Sequence, residues 1–186
     1  MGTIALALHV TAAAILVGPQ ILMFLAVVPA TWLIEDDERL KRGVTRVVAA
    51  RFGMLATISI VVLIVTGLYQ YYTIVPVNVR ESPEEYVFGP VFSLKMIMFV
   101  VTMVLIGIHM RYYGKRIAGL SDRVIAIQDD PFSASTEEAN EVRIELERAR
   151  QKSFGFSVFI LGASLVTMWL GVALGHESFA WSQLNP

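Results

Sequence analysis

Four apolar runs fix what this chain can become: Ile4 to Pro29, Phe52 to Val75, Val91 to Met110 and Phe154 to His176. Each holds roughly 20 residues, the length a helix needs to cross ~30 Å of hydrocarbon. Backbone groups in lipid must pair within their own segment, so helices are the economical reading. With 55% hydrophobic residues and a mean hydropathy of +0.62, the 186-residue chain is too apolar for a soluble domain of its size. The first run lacks a basic leader and is interrupted by Gly18, Pro19 and Gln20 with no evident cleavage site, so it reads as a retained helix.

Charge then gives an orientation. Of the 15 Lys and Arg, 13 lie in two connecting segments: Arg39, Lys41, Arg42, Arg46 and Arg51 in the first, and Arg111, Lys115, Arg116, Arg123, Arg143, Arg148, Arg150 and Lys152 in the third. The positive-inside rule places both in the cytoplasm and both termini outside. The expected fold is an all-α membrane protein: one domain over residues 1–186, an up-down-up-down bundle of four transmembrane helices with spans about 4–29, 52–75, 91–112 and 153–176, N-out and C-out. The expected location is a bacterial cytoplasmic membrane. Acidic residues interleave with the basic ones, which argues against nucleic-acid binding.

The connections differ in character. Thr31 to Arg51 opens with Glu35-Asp36-Asp37-Glu38 and reads as a short amphipathic helix at the interface. Pro76 to Pro90 is rich in turn formers and faces outside. In the third, Ser135 to Glu138 is a capping box, and Glu137 to Gln151 reads as a soluble extension of the fourth span. Along it Glu147 can pair with Arg143, and Glu145 with Arg148. Docking a partner is a second reading of this helix. Trp32, Tyr112 and Tyr113 at the inner boundary, and Tyr69, Tyr71, Tyr72, Tyr86 and Trp181 at the outer, fit interfacial aromatic belts.

Chemistry is sought where polar groups interrupt the apolar runs. Lys95 is the only charge between Val91 and Ile108, and an ionisable group at membrane depth marks function by default. It either snorkels to the headgroups or serves as the catalytic candidate, a charge or proton site lining a cavity. His9, in the first span, is either bonded to a neighbouring carbonyl or hydroxyl or is a metal ligand. The chain has no cysteine, so such a ligand would be an imidazole on haem iron or copper. His176, with Gly171 and Gly175 before it, ends the fourth span. Gly162, Trp169 and His176 share nearly one face, able to present an aromatic wall and a ligand together. Gln70 and Gln20, the latter beside Pro19, are further candidates to line a cofactor site. Helical rise puts His9, Gln70, Lys95 and His176 within roughly 10 Å of the outer interface. His109 lies about 21 Å along the helix from Lys95 and cannot share a small site with it. Met96, Met103 and Met110 recur every seven residues, which suits packing better than a copper path.

Three stretches carry a resemblance. The first helix has His9 followed nine residues on by Gly18, the second ends Thr66-Gly67-Leu68-Tyr69, and the third runs from Phe92-Ser93-Leu94-Lys95 to His109-Met110-Arg111-Tyr112-Tyr113. Over the first three helices the chain resembles the HemJ-type protoporphyrinogen oxidase and CopD-like superfamily of small bacterial membrane proteins. The resemblance implies a b-type haem bundle in which His9 is the haem-linked histidine and Lys95 the essential lysine. It implies porphyrinogen oxidation on the HemJ side and copper uptake or resistance on the CopD side.

The leading expectation is a haem b-binding redox protein. His9 and His176 would be axial ligands, and Lys95 would hold a propionate or acidic substrate, or relay a proton. A porphyrin substrate and a quinone are its possible small-molecule partners. The alternatives are copper transport through His9, His176 and methionines, and an accessory subunit or homo-oligomer within a larger membrane complex.

Overall fold

The apolar runs fold as helices, and each helix outruns its run. The computed structural model describes residues 2–34, 37–130, 132 and 134–184. Four helices are long and apolar enough to cross a membrane: α1 (Gly2–Trp32), α2 (Glu38–Thr73), α3 (Phe88–Asp129) and α4 (Thr136–Leu174). Short helical segments, Val77–Glu81, Pro83–Glu85 and Glu177–Ala180, complete the ordered structure. No β-strand occurs among the described residues; Tyr86 and Gln183 form one isolated bridge.

Two of the long helices contain π-helical turns. In α1 the turn is Met23–Val27, where the Val28 N–H reaches back to the Met23 carbonyl. Pro29, lacking an N–H, cannot continue the regular ladder there. In α3 the turn is His109–Gly114.

The basic connections are not separate elements. The interfacial helix expected between Thr31 and Arg51 is instead the first third of α2, which runs unbroken from Glu38 to Thr73. Asp37 caps it, its carboxylate accepting from the Leu40 N–H at 2.9 Å. No proline separates this polar stretch from the apolar one, so the helix continues through. Glu35 and Asp36 lie outside the described residues. The N-cap half of the expected capping box is present, with Glu138 N–H donating to Ser135 Oγ at 3.1 Å. From there α4 runs 39 residues without interruption.

The packed residues form two compact units. One comprises Leu22–Arg51 and Met103–Ile160. It is built like a small soluble helical domain: Leu120 and Val124 of α3 and Val142, Leu146 and Ala149 of α4 form its core, flanked by Ile117 and Ile127. Glu38 is buried and accepts from Ser121 Oγ and Arg150 Nη2, both at 2.6 Å. Arg150 also reaches Glu147 at 2.8 Å, and Arg116 reaches Glu145 at 2.9 Å. The expected Glu147–Arg143 and Glu145–Arg148 pairings give way to these: Glu147 still pairs within α4, but with Arg150, which also reaches buried Glu38, while Glu145 pairs across to Arg116 of α3. Arg39–Asp129 and Arg42–Asp122 pair across the same unit.

The other unit comprises Met1–Ile21, Phe52–Thr102 and Leu161–Pro186. At one end the 76–90 connection and the C-terminal segment close on each other: Val87 N–H donates to Ser182 O at 3.0 Å and Leu184 N–H to Glu85 O at 2.9 Å. Val79 and Ala180 are fully enclosed there. Tyr71, expected at the interface, stacks on Phe92 at 5.3 Å within an aromatic group that includes Phe88.

Candidate functional site

Within this second unit the less exposed positions of each helix recur at three-, four- or seven-residue spacing; on α1, α2 and α4 they are mostly small or polar, and on α3 phenylalanines alternate with Lys95 and Thr102. On α1 the stripe is Ala5, His9, Ala12, Leu16 and Gln20; on α2 it is Ala56, Ser59, Thr66 and Gln70. On α3 it is Phe88, Phe92, Lys95, Phe99 and Thr102; on α4 it is Ala163, Ser164, Thr167 and Gly171. Leucine, isoleucine and valine occupy the exposed faces. Apolar residues outside and polar ones inside is the arrangement a lipid solvent selects.

His9 and Thr66 define the centre. His9 Nδ1 lies 2.8 Å from Thr66 Oγ1. The single hydroxyl proton of Thr66 goes to the carbonyl of Val62, 2.6 Å away and one turn back. The hydroxyl therefore accepts from His9, which fixes the imidazole as the Nδ1–H tautomer. The lone pair is left on Nε2. Beneath the ring is Gly67, where a Cβ would lie 3.4 Å from His9 Cε1 and 3.9 Å from Nδ1. The imidazole thus rests against a helix surface cleared by glycine.

Lys95 turns to the interior rather than snorkelling. Its Nζ is 3.4 Å, and its Cε 3.6 Å, from the point where a side chain on Gly171 would begin. The ammonium makes no hydrogen bond and no ion pair among the described residues. It is within Coulombic reach of the His9 ring. The two residues that the sequence singles out thus have different neighbours: His9 meets Thr66 and Gly67 of α2, and Lys95 meets Gly171 of α4.

The remaining candidates divide. Gln70 follows Thr66 by one turn on the same face; its Nε2 is buried and has no partner. Gln20 is buried and satisfied: Nε2 donates to Leu16 O at 3.1 Å, and Oε1 accepts from Ser164 Oγ at 3.3 Å. It ties α1 to α4 and has one amide hydrogen left. His176 is exposed, at the turn between α4 and Glu177–Ala180, with Nδ1 3.0 Å from Ser178 Oγ. No hydrogen bond or ring contact joins it to His9 among the described residues. The wall expected from Gly162, Trp169 and His176 does not form, because all three are exposed, Trp169 at 66%. Of the Gly171 and Gly175 pair, only Gly171 faces another helix; Gly175 meets its own backbone. Met96 and Met110 are likewise outward.

His109 belongs to the other unit. Its Nε2 is 3.4 Å from Ser157 Oγ, and its ring lies parallel to Phe156 at 6.1 Å. Four buried hydroxyls of the His9 unit were not singled out from the sequence as site residues: Ser59, Thr66, Thr102 and Ser164. Their signal was available, since Ser59, Thr66 and Gln70 keep helical register along α2.

The donor set discriminates between the metals considered. A copper site needs several imidazole, thiolate, thioether or carboxylate donors. No group of three or more His, Cys, Asp or Glu converges among the described residues. An ammonium beside the one available imidazole also opposes a bare cation. A haem needs a single axial imidazole from this unit, and its acidic substituents suit a neighbouring ammonium. Set against known proteins, the chain matches no family model, no curated protein and no solved structure.

Proposed function

We propose that this multi-pass membrane protein is a haem b-binding redox protein. Both termini would lie outside a bacterial cytoplasmic membrane, as the basic connections require. The observation that carries the reading is the His9–Thr66–Val62 relay at 2.8 and 2.6 Å, which leaves His9 Nε2 without a hydrogen bond among the described residues. A metal-ligating histidine characteristically donates its other ring N–H to an oriented acceptor, and Thr66 is that acceptor.

The haem, when bound, would supply a one-electron redox centre. The chain's own groups do the rest. Thr66 holds the tautomer, Gly67 admits the ring edge-on to α2, and the outward leucines, isoleucines and valines keep water from the unit. Lys95 sets a positive potential next to the imidazole. With His176 exposed and bonded to Ser178, the reading rests on one axial imidazole, from His9. The resemblance to HemJ-type oxidases agrees with this assignment and names porphyrinogen oxidation as the reaction to assay.

An oxidised-minus-reduced spectrum of the full-length protein purified with haem present tests the reading. A b-type alpha band that disappears in His9→Ala supports it; an intact protein with no such band overturns it.

A further inference from the structure

Two hydrogen-bond donors on the long helices of the His9 unit lack any acceptor, besides Arg80 Nε in the 76–90 connection. The Lys95 ammonium has no ion pair or hydrogen bond among the described residues, and Gln70 Nε2 is enclosed without a partner. An unpaired buried ammonium costs several kcal/mol, and an orphaned amide about 1–3 kcal/mol more. Two such costs in one interior call for something that neutralises both.

The two donors lie on neighbouring turns of α2 and α3. Gln70 lies one turn from Thr66 on the face that meets His9, while Lys95 is within Coulombic reach of His9. Tyr71, the residue after Gln70, stacks on Phe92, one turn from Lys95. This sets the Gln70 turn of α2 beside the turn of α3 preceding Lys95. On α4, Gly171 leaves the ammonium open where a side chain would stand at 3.4 Å. The acidic residues of the chain supply no partner in this unit's interior: Glu81, Glu84, Glu85 and Glu177 all sit in the terminal connections.

We propose that Lys95 and Gln70 form a binding site for an organic carboxylate, held between α2, α3 and α4 beside the imidazole of His9. The ammonium takes one carboxylate oxygen and the amide N–H the other, a pairing that neutralises the charge and satisfies the orphan together. The apolar faces of Phe92 and Phe99 suit a ligand whose remainder is hydrocarbon or aromatic. This deepens the reading of the same site but does not need iron. The carboxylate belongs either to a bound cofactor or to a free amphipathic acid.

Acetylation by acetic anhydride, read at Lys95 by peptide mass spectrometry on the full-length protein in lipid nanodiscs, tests it. Decanoate and decanol are the probes, and exposed Lys115 is the internal reference. In His9→Ala, decanoate is expected to slow Lys95 acetylation at least about tenfold relative to decanol. Gln70→Leu, verified as folded by its melting curve, is expected to lose most of that protection. If wild-type protein isolated with haem is protected before any decanoate is added, and His9→Ala is not, the carboxylate is the cofactor's. If decanoate protects both, it is a free acid. The proposal is overturned if Lys95 reacts at one rate in every form with either probe, or if folded Gln70→Leu keeps full protection. A missing alpha band would remove the haem reading and leave these outcomes unchanged.

Discussion

Thr66 Oγ1 accepts from His9 Nδ1 at 2.8 Å while donating to its own helix, and so decides which imidazole nitrogen is free. Thr66→Val keeps the shape and deletes the acceptor. It is expected to weaken haem retention about 10- to 100-fold, with Thr66→Ser close to wild type. Absorbance titration of the purified variants with haemin checks this; equal affinities for Val and Ser would remove the relay from the site.

Gly67 lies against the same ring. A methyl there meets His9 Cε1 at ordinary contact distance, 3.4 Å, so Gly67→Ala is expected to be tolerated. Gly67→Leu must displace the imidazole, and overpacking of this kind costs about 1–3 kcal/mol. The expected outcome is a lowered melting temperature together with loss of the alpha band, both absent in the alanine variant.

The unit containing Leu120, Val124, Val142 and Leu146 has the energetics of a soluble core. Leu146, 2% exposed, is expected to cost about 2–5 kcal/mol on truncation to alanine. Arg150→Ala leaves the Glu38 carboxylate buried with Ser121 alone, and is expected to cost about 3–5 kcal/mol. Arg39→Ala, in an exposed pair with Asp129, is expected to change little. Hydrogen exchange over residues 115–129 should follow that order; a large effect at Arg39 and none at Leu146 would contradict the packing.

Methionine thioethers discriminate the copper reading. Met96 and Met110 are 43% and 55% exposed. Replacing both with leucine is expected to leave bound copper and haem unchanged, as measured by metal analysis and spectrum. A loss of copper on that double substitution would favour transport.

The helices and their number were legible because lipid demands about 20 apolar residues per crossing, and the four runs meet that length. The Ser135 cap was legible because its signal is local. His9 and Lys95 could be placed from the sequence only by shared depth, since helices apolar all the way round give no moment to orient them. What oriented them was finer: Ser59, Thr66 and Gln70 on α2, and Gly171 on α4, small and polar groups whose register shows the inward face once the helices are packed. His176 was misjudged by depth alone, because a residue after the last helical turn swings outward with the chain. The soluble core was missed for a simpler reason. Ile117, Leu120, Val124 and Ile127 keep helical spacing, yet they sit among charges that drew attention to the surface.

The π turn at His109–Gly114 has a bearing on how this helix can change length. One additional residue is looped into the coil there, turning everything downstream by about 100° relative to an unbroken α-helix. Leu120 and Val124 owe their inward azimuth to that surplus. A one-residue deletion within the bulge would tighten it to a regular coil and leave those two side chains facing inward, because the surplus residue and its rotation are removed together. Paired with a one-residue insertion before Ile117, the same deletion would turn them about 100° toward water, so the bulge behaves as a phase-setting element rather than a flaw.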